Sequence, residues 1–396
     1  MKTEEIIELT SQYIIPSYRR IPVAFKEGRG IRLWDMEGKE YLDLIAGLAV
    51  NSLGYGHPKL IQTINEQAKL LIHTSNLFHI QPQVELAEKL SKLSLGGKVF
   101  FCNSGAEANE AAIKLTRRFG SQNGRYEIIT MTGSFHGRTL TTIAATAQRK
   151  YQQGFEPLPE GFKYAVFNDL DSVKDLVAPT TCAIMTEVIQ GEGGVNVGRE
   201  DFIVGLRQVC DQYNLLLIMD EVQTGMARTG RMFVYEHYGI TPDIITLAKG
   251  LAGGIPIGAM VAKRKISELL GPGTHASTFG GNFLSSRAAL ATLEVILGED
   301  LIEKAQRLGN YLMERLTGLK GRYSFIKEVR GKGLMVGLEL EIPGEKIVEK
   351  CFRRGLLINC TVEKVLRFLP PLTISKEEID EAIQILDQAF REVKEE

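Results

Sequence analysis

The stretch LLLIMDEVQTGMARTG (215–230), followed by PDIITLAKGLAGGIPIGA (242–259), sets the reading of the chain. Each opens with an apolar run, LLLIMDEV (215–222) and DIITLA (243–248), and passes into a Gly-rich turn. Neither run alternates polar with apolar residues. A strand that is apolar on both faces belongs in a parallel sheet covered by helices. Working outward, the same unit recurs at KVFFCN (98–103), YEIITM (126–131), CAIMTEVI (182–189) and IGAMVA (257–262). Strand, turn and helix-like stretch alternating in this way predict an α/β fold with a large, mostly parallel sheet. Such sheets bind ligands beyond the carboxyl ends of their strands, so the residues after each run are the functional candidates.

The C-terminal part reads as a smaller α+β unit. Strand-like GLMVGLELE (333–341), GLLINC and VLRFLPPL lead to a last helix. Ser375 and Glu378 have capping-box spacing at its start, and Ile379, Ala382, Ile383, Leu386 and Phe390 form its apolar stripe. The N-terminal segment reads as a hairpin turning at Glu37-Gly38. The expected division is residues 1–50, packing with the small unit or a partner subunit, a large domain at 51–285, and a small domain at 286–396.

Composition removes several classes. The chain has 396 residues, with 47 Lys+Arg against 48 Asp+Glu. Nucleic-acid binding usually brings a basic excess, which is missing. Apolar residues make up 44%, enough to drive collapse, so disorder is not expected. No apolar run has the length of a membrane span, and the start MKTEEIIELTSQY has no apolar signal region. Five cysteines without a CxxC pair fit free thiols. The expected location is the cytoplasm. Glycine is the outlier, at 40 residues against a typical ~7%, and many fall in the turns after the apolar runs.

Those turns carry the chemistry. After KVFFCN, Ser104 and Glu107 can cap a helix, and the N–H groups of the Ser-Gly-Ala turn would suit a phosphate. Taken alone, a capped helix needs no ligand. After YEIITM, the loop SFHGRT combines a ring that can stack with an arginine that can grip a carboxylate. It also reads as an ordinary surface loop. After CAIMTEVI, Glu192 sits on a Gly loop, where it is either a solvated charge or a ligand contact. After LLLIM, Asp220 and Glu221 are expensive at a sheet's end unless a cation satisfies them. No GxxxxGK[ST] loop supports a P-loop NTPase, and no HExxH or CxxC spacing supports a metal. A protonated heteroaromatic nitrogen would fit Asp220. After DIITLA, Lys249 ends an apolar strand among small residues, where desolvation lowers an amine's pKa and makes it nucleophilic. An acid facing a ring nitrogen and a lysine able to form a Schiff base are the protein half of a pyridoxal phosphate (PLP) site.

Together SGAEANEAAIKLTRR, SFHGRT, VIQGEGGV, LLIMDEVQTGMARTG, PDIITLAKGLAGGIPIGA, HASTFGGNFLS and VRGKGLMVGLEL make the chain resemble the class III (ornithine-type) aminotransferases of PLP fold type I, over nearly its full length. The resemblance implies roles residue by residue. Lys249 holds PLP and shuttles the proton, and Asp220 pairs with the ring nitrogen. Val222 and Phe135 flank the ring and Gln223 meets its hydroxyl. Ser104, Gly105 and Ala106 form the phosphate turn. Thr278 reaches the phosphate bound in the other subunit of a homodimer. Arg138, Ser277 and, near the entrance, Tyr18 contact substrate. Arg367 takes the α-carboxylate of glutamate or 2-oxoglutarate, and Glu192 gates it.

The resemblance further implies transfer of the distal amino group of N-acetylornithine to 2-oxoglutarate. This gives N-acetylglutamate 5-semialdehyde and glutamate in arginine biosynthesis. Class members acting on ornithine, 4-aminobutyrate, N-succinyl-diaminopimelate or carrier-linked lysine are the alternatives. A PLP aminomutase would not need the gate. One departure is Val188, where the family commonly has proline; a straighter strand is expected there.

Overall fold

In the computed structural model, which describes residues 1–395, the apolar runs become strands, most of them buried on both faces. The chain first forms β1 (Phe25–Arg29), β2 (Arg32–Asp35) and β3 (Glu40–Asp43). The β2–β3 turn is closed by Asp35, whose Oδ1 accepts from the N–H groups of Glu37 at 3.0 Å and Lys39 at 2.8 Å. An aspartate that bonds its own chain two residues on fixes such a turn.

Next come β4 (Lys98–Cys102), β5 (Glu127–Met131), β6 (Phe162–Ala165) and β7 (Thr181–Thr186). The short antiparallel pair β8 (Ile189–Gln190) and β9 (Asn196–Val197) follows. Then come β10 (Leu216–Asp220), β11 (Ile244–Leu247) and β12 (Gly258–Ala262). Seven of these form one sheet in the order β4-β12-β11-β10-β7-β5-β6. Alternate residues go to opposite faces, as the pleat requires. Ile184, Leu217, Met219 and Ile245 enter one core. Ala183, Met185, Leu216, Ile218 and Ile244 enter another, with Ala111, Ala112 and Leu115 of the Gly105–Gly120 helix. Burial on both faces is why these runs lack polar alternation.

Three details differ from the sequence reading. β12 runs antiparallel to both β11 and β4. Only residues 248–257 separate β11 from β12, fewer than the dozen or so that a parallel crossover needs. β6 escapes notice because it is a half-exposed edge strand, FKYA, with no apolar run. Val188 does not straighten its strand either: β7 stops at Thr186 and β8 starts at Ile189.

The last third contains β13 (Ile326–Lys332), β14 (Met335–Leu340), β15 (Leu356–Leu357), β16 (Asn359–Thr361) and β17 (Val365–Phe368). Four of them form an antiparallel sheet, β13-β14-β17-β16. β15 instead pairs in parallel with β3, tying the N-terminal hairpin to the C-terminal chain. The final helix, Lys376–Glu395, starts at a closed capping box. Glu378 N–H donates to Ser375 Oγ at 3.2 Å, and Ser375 N–H donates to Glu378 Oε2 at 2.8 Å. Its stripe of Ile379, Ala382, Ile383, Leu386 and Phe390 is buried. Among the described residues no helix is long and apolar enough to cross a membrane.

Candidate active site

The carboxyl ends of β4, β5, β7, β10 and β11, and the start of β12, meet at one cavity of about 410 Å³. Ser104, Gly105, Ala106, Phe135, Arg138, Glu192, Asp220, Val222, Gln223 and Lys249 line it. These residues span 145 positions of sequence and arrive by five separate strand ends.

The first strand end is a helix start. Ser104 Oγ accepts from Glu107 N–H at 3.2 Å. Glu107 does not reach back to Ser104 N–H; its carboxylate accepts from Asn103 N–H at 2.6 Å, so the box is displaced by one residue. The N–H groups of Gly105 and Ala106 belong to the helix's first turn, where no carbonyl is available to them. Gly105 is needed for closeness: a Cβ there would lie 2.7 Å from Val222 Cγ1.

Asp220 is 4% exposed at the end of β10. Its Oδ2 lies 2.8 Å from His136 Nδ1 and accepts from Asn109 Nδ2 at 2.8 Å. Its Oδ1 accepts from Val222 N–H at 3.0 Å. A carboxylate only accepts, so the imidazole proton sits on Nδ1. His136 Nε2 is then left buried without a partner. The expectation that Asp220 needs a bound cation is therefore amended: the protein supplies donors of its own, and one lone-pair direction remains for a ligand.

Asn109, His136 and Glu187 carry no role in the sequence reading, yet all three line the cavity. Asn109 is one helical turn after Gly105, the i+4 spacing that shares a face. Glu187 directly follows a fully buried strand, much as Asp220 closes one, and that was its available signal. It accepts from Phe135 N–H at 2.9 Å and from Gly191 N–H at 3.2 Å. Burial pushes its carboxyl up to about 7, with Asp220 adding and His136 opposing.

Lys249 follows β11 with φ +40°. A positive φ on a long side chain is uncommon and aims it away from the usual direction. Its amine has no hydrogen-bond or ion-pair partner among the described residues. Burial pushes its pKa below the usual lysine value. Glu192 opposes this, Arg367 adds to it, and Asp220 and Glu187 oppose it.

Arg367, on β17, is 1% exposed. Its Nη1 donates to Glu192 Oε1 at 2.7 Å and lies 3.5 Å from Gln223 Oε1. Its Nε donates to Asn359 Oδ1 at 3.3 Å. Burial raises the Glu192 carboxyl, but the charge and hydrogen bond of Arg367 outweigh it and hold the group below the ordinary range. Arg138 lies over the rings of Tyr151 at 4.2 Å and Phe135 at 5.3 Å.

Besides Arg367, which meets the cavity wall through Glu192 and Gln223, three predicted residues lie away from the cavity. Tyr18 is 73% exposed, with Arg20 over its ring. Thr278 is exposed on the loop before the Phe283–Gly298 helix. Ser277 Oγ accepts from Asn103 Nδ2 at 3.3 Å, one residue from the cavity wall.

The residues fit a PLP group. Two open N–H groups at a helix start suit a phosphate. A buried acid with spare acceptor capacity suits a protonated ring nitrogen, and an unpaired amine of lowered pKa suits an aldehyde. No cluster of three or more metal-ligating side chains exists among the described residues.

Comparison with known proteins agrees. The family model Aminotransferase class-III matches residues 13–390. A protein of Methanocaldococcus jannaschii named acetylornithine aminotransferase is 52% identical over the whole of both chains. A solved Toxoplasma gondii ornithine aminotransferase, described with partial PLP occupancy at its active site, superposes with TM-score 0.96 at 34% identity, covering 100% of this chain and 95% of its own. The acetylornithine aminotransferase of Elizabethkingia anophelis superposes with TM-score 0.88 at 33% identity, covering 99% of this chain and 100% of its own. The chain belongs to the class III aminotransferases, and its cofactor is pyridoxal phosphate.

Proposed function

We propose that this chain moves the distal amino group of N-acetylornithine to 2-oxoglutarate as a cytoplasmic homodimer. The products would be N-acetylglutamate 5-semialdehyde and glutamate, a step of arginine biosynthesis. The observation that carries this reading is the Glu192–Arg367 pair, 2.7 Å apart and within electrostatic reach of Lys249. One pocket must accept two unlike molecules. A distal amine has no carboxylate beside its reacting carbon, so a wall neutralised by Glu192 suits it. 2-Oxoglutarate has one there, and Arg367, once released by Glu192, offers a guanidinium fork to hold it.

When bound, PLP supplies an aldehyde carbon that takes the amine and a ring that holds the electron pair released at the substrate carbon. The other steps belong to the protein. Gly105 and Ala106 N–H groups would hold the phosphate. Asp220, oriented by His136 and Asn109, would keep the ring nitrogen protonated. Val222 and Phe135 would flank the ring, and Gln223 would take its hydroxyl. Lys249 Nζ, neutral more often than an ordinary lysine, removes the proton from the donor's δ-carbon and keeps it for delivery. Arg138 binds the donor's remote carboxylate.

Apolar exposure around Thr278 supports the homodimer. Leu77 is 88% exposed, Phe78 66% and Phe279 58%. Asn76 Nδ2 joins these segments by donating to Ser277 O at 3.0 Å and to Gly280 O at 2.9 Å. A second copy covering this ridge would bring Thr278 of each chain to the phosphate held in the other. The name carried by the Methanocaldococcus relative supports the acetylated donor. The Toxoplasma neighbour supports ornithine as the second reading. A panel of N-acetylornithine, ornithine, 4-aminobutyrate and N-succinyl-diaminopimelate with 2-oxoglutarate separates them. The highest kcat/KM is expected for N-acetylornithine; a higher value for ornithine would replace the first reading with the second.

A further inference from the structure

The loop carrying Glu192 rests on the small sheet along one row of residues. Arg330 of β13 faces Gly337 of β14, Gly337 faces Arg367 of β17, and Arg367 faces Asn359 of β16. Directly opposed residues project from the same face of a sheet, so the two arginines flank Gly337 on one side. Arg367 holds the Glu192 carboxylate. Arg330 holds the backbone of the same loop: its Nη2 donates to Gly194 O at 2.7 Å and its Nε to Val195 O at 3.2 Å. Between them Val195 is buried over Gly337, where a Cβ would lie 2.9 Å from Val195 Cβ.

Three observations show that this loop depends on outside support. Val195 has φ +54°, which is costly for a β-branched residue and persists only where neighbours enforce it. A second cavity, about 470 Å³, is bordered by Gln190 and Asn196 at the two ends of the loop and by Arg330, so that flank of the loop is not closely packed. The guanidinium is itself fixed: its Nη1 bonds Glu328 at 2.9 Å and also Glu339, which Lys327 holds from the other side at 2.6 Å. A planar fork anchored at one end and bonded at two points of a loop is a rigid strut.

We infer that Arg330 is a positioning residue for the Glu192–Arg367 gate, fixing the loop so that the Glu192 carboxylate meets Arg367 and the enzyme accepts a distal amine. Arg330 does not line the reaction cavity; it acts through the loop. The inference rests on the gate described under the proposed function. Without the strut the loop relaxes, Arg367 is left uncovered, and α-amino acids bearing a neighbouring carboxylate compete better.

The test reads kcat/KM for N-acetylornithine and for glutamate as donors in Arg330→Met, Arg330→Lys, Gly337→Ala and Glu192→Ala, together with PLP affinity and Tm. In Arg330→Met the ratio of the two donors should shift toward glutamate by about tenfold or more, with PLP affinity unchanged. Arg330→Lys, which keeps the charge but loses the fork, should lie between. Gly337→Ala keeps Arg330 and displaces Val195, so it should shift the ratio the same way, and it carries the test with Arg330→Lys if Arg330→Met does not fold. Adding Arg330→Met to Glu192→Ala should shift the ratio no further. A proportional loss for both donors with an unchanged ratio would make Arg330 merely structural and overturn the inference. If Glu192→Ala itself leaves the ratio unchanged, the gate fails and the inference fails with it. If Glu192→Ala shifts the ratio while the Arg330 and Gly337 variants do not, the inference alone falls.

Discussion

At the residue scale, the acids at the end of β10 show how burial separates neighbours. Asp220 faces the cavity with three protein hydrogen bonds. Glu221 turns into the core, accepting from Thr224 Oγ1 at 2.6 Å and from Tyr235 N–H at 3.3 Å. Burial pushes the Glu221 carboxyl up to about 7. A carboxyl raised in the folded state favours its protonated form there. Its stabilising contribution is complete below the ordinary value of 4.5 and is lost as pH rises through about 7. The span limits the loss to about 3 kcal/mol, at ~1.36 kcal/mol per unit. Glu221→Gln, which does not titrate, should therefore show a smaller fall in Tm between pH 5 and pH 8 than the unaltered protein. Equal falls would show that Glu221 keeps an ordinary pKa. Sequence exposed the pair because two acids after five apolar residues are anomalous. It did not say which faces the ligand, since that depends on the strand's pleat and on Tyr235 arriving from elsewhere.

At the scale of elements, strand existence was legible and strand direction was not. Six apolar runs correspond to β4, β5, β7, β10, β11 and β12. The reversed β12 was hidden because burial on both faces looks the same in either direction; the short 248–257 connection was the clue. The helix start after β4 was legible through Ser104. The contact that sets its distance from the cavity floor was not, because Gly105 meets Val222 across 117 positions of sequence. Gly105→Ala tests that contact. Alanine is the better helix former, so the helix itself should not weaken. A Cβ 2.7 Å from Val222 Cγ1 must displace one of the two, and overpacking of this kind costs about 1–3 kcal/mol. PLP affinity, read by absorbance titration, should fall about tenfold or more, with Tm of the cofactor-free protein changed little. Unchanged affinity would mean that Val222 yields freely and that the close approach has no function.

At the scale of the whole molecule, the site exists only because distant segments converge. Glu192 and Arg367 are 175 positions apart, and Arg367 comes from the small sheet while Lys249 and Asp220 come from the large one. Composition gave no hint of this, since a net charge of -1 averages over individually placed arginines. Residue roles came from a resemblance spanning nearly the entire chain, and the geometry then brought most of those residues to one cavity. Tyr18, Ser277 and Thr278 stayed outside it, and Arg367 meets its wall through Glu192. The central claim is that Lys249 is the amine that carries the cofactor. Borohydride reduction of the PLP-loaded protein, followed by peptide mass spectrometry, tests it most directly. The account predicts a single phosphopyridoxyl adduct on Lys249, and a Lys249→Ala protein with neither adduct nor turnover. An adduct on another lysine, or full turnover by Lys249→Ala, would contradict it.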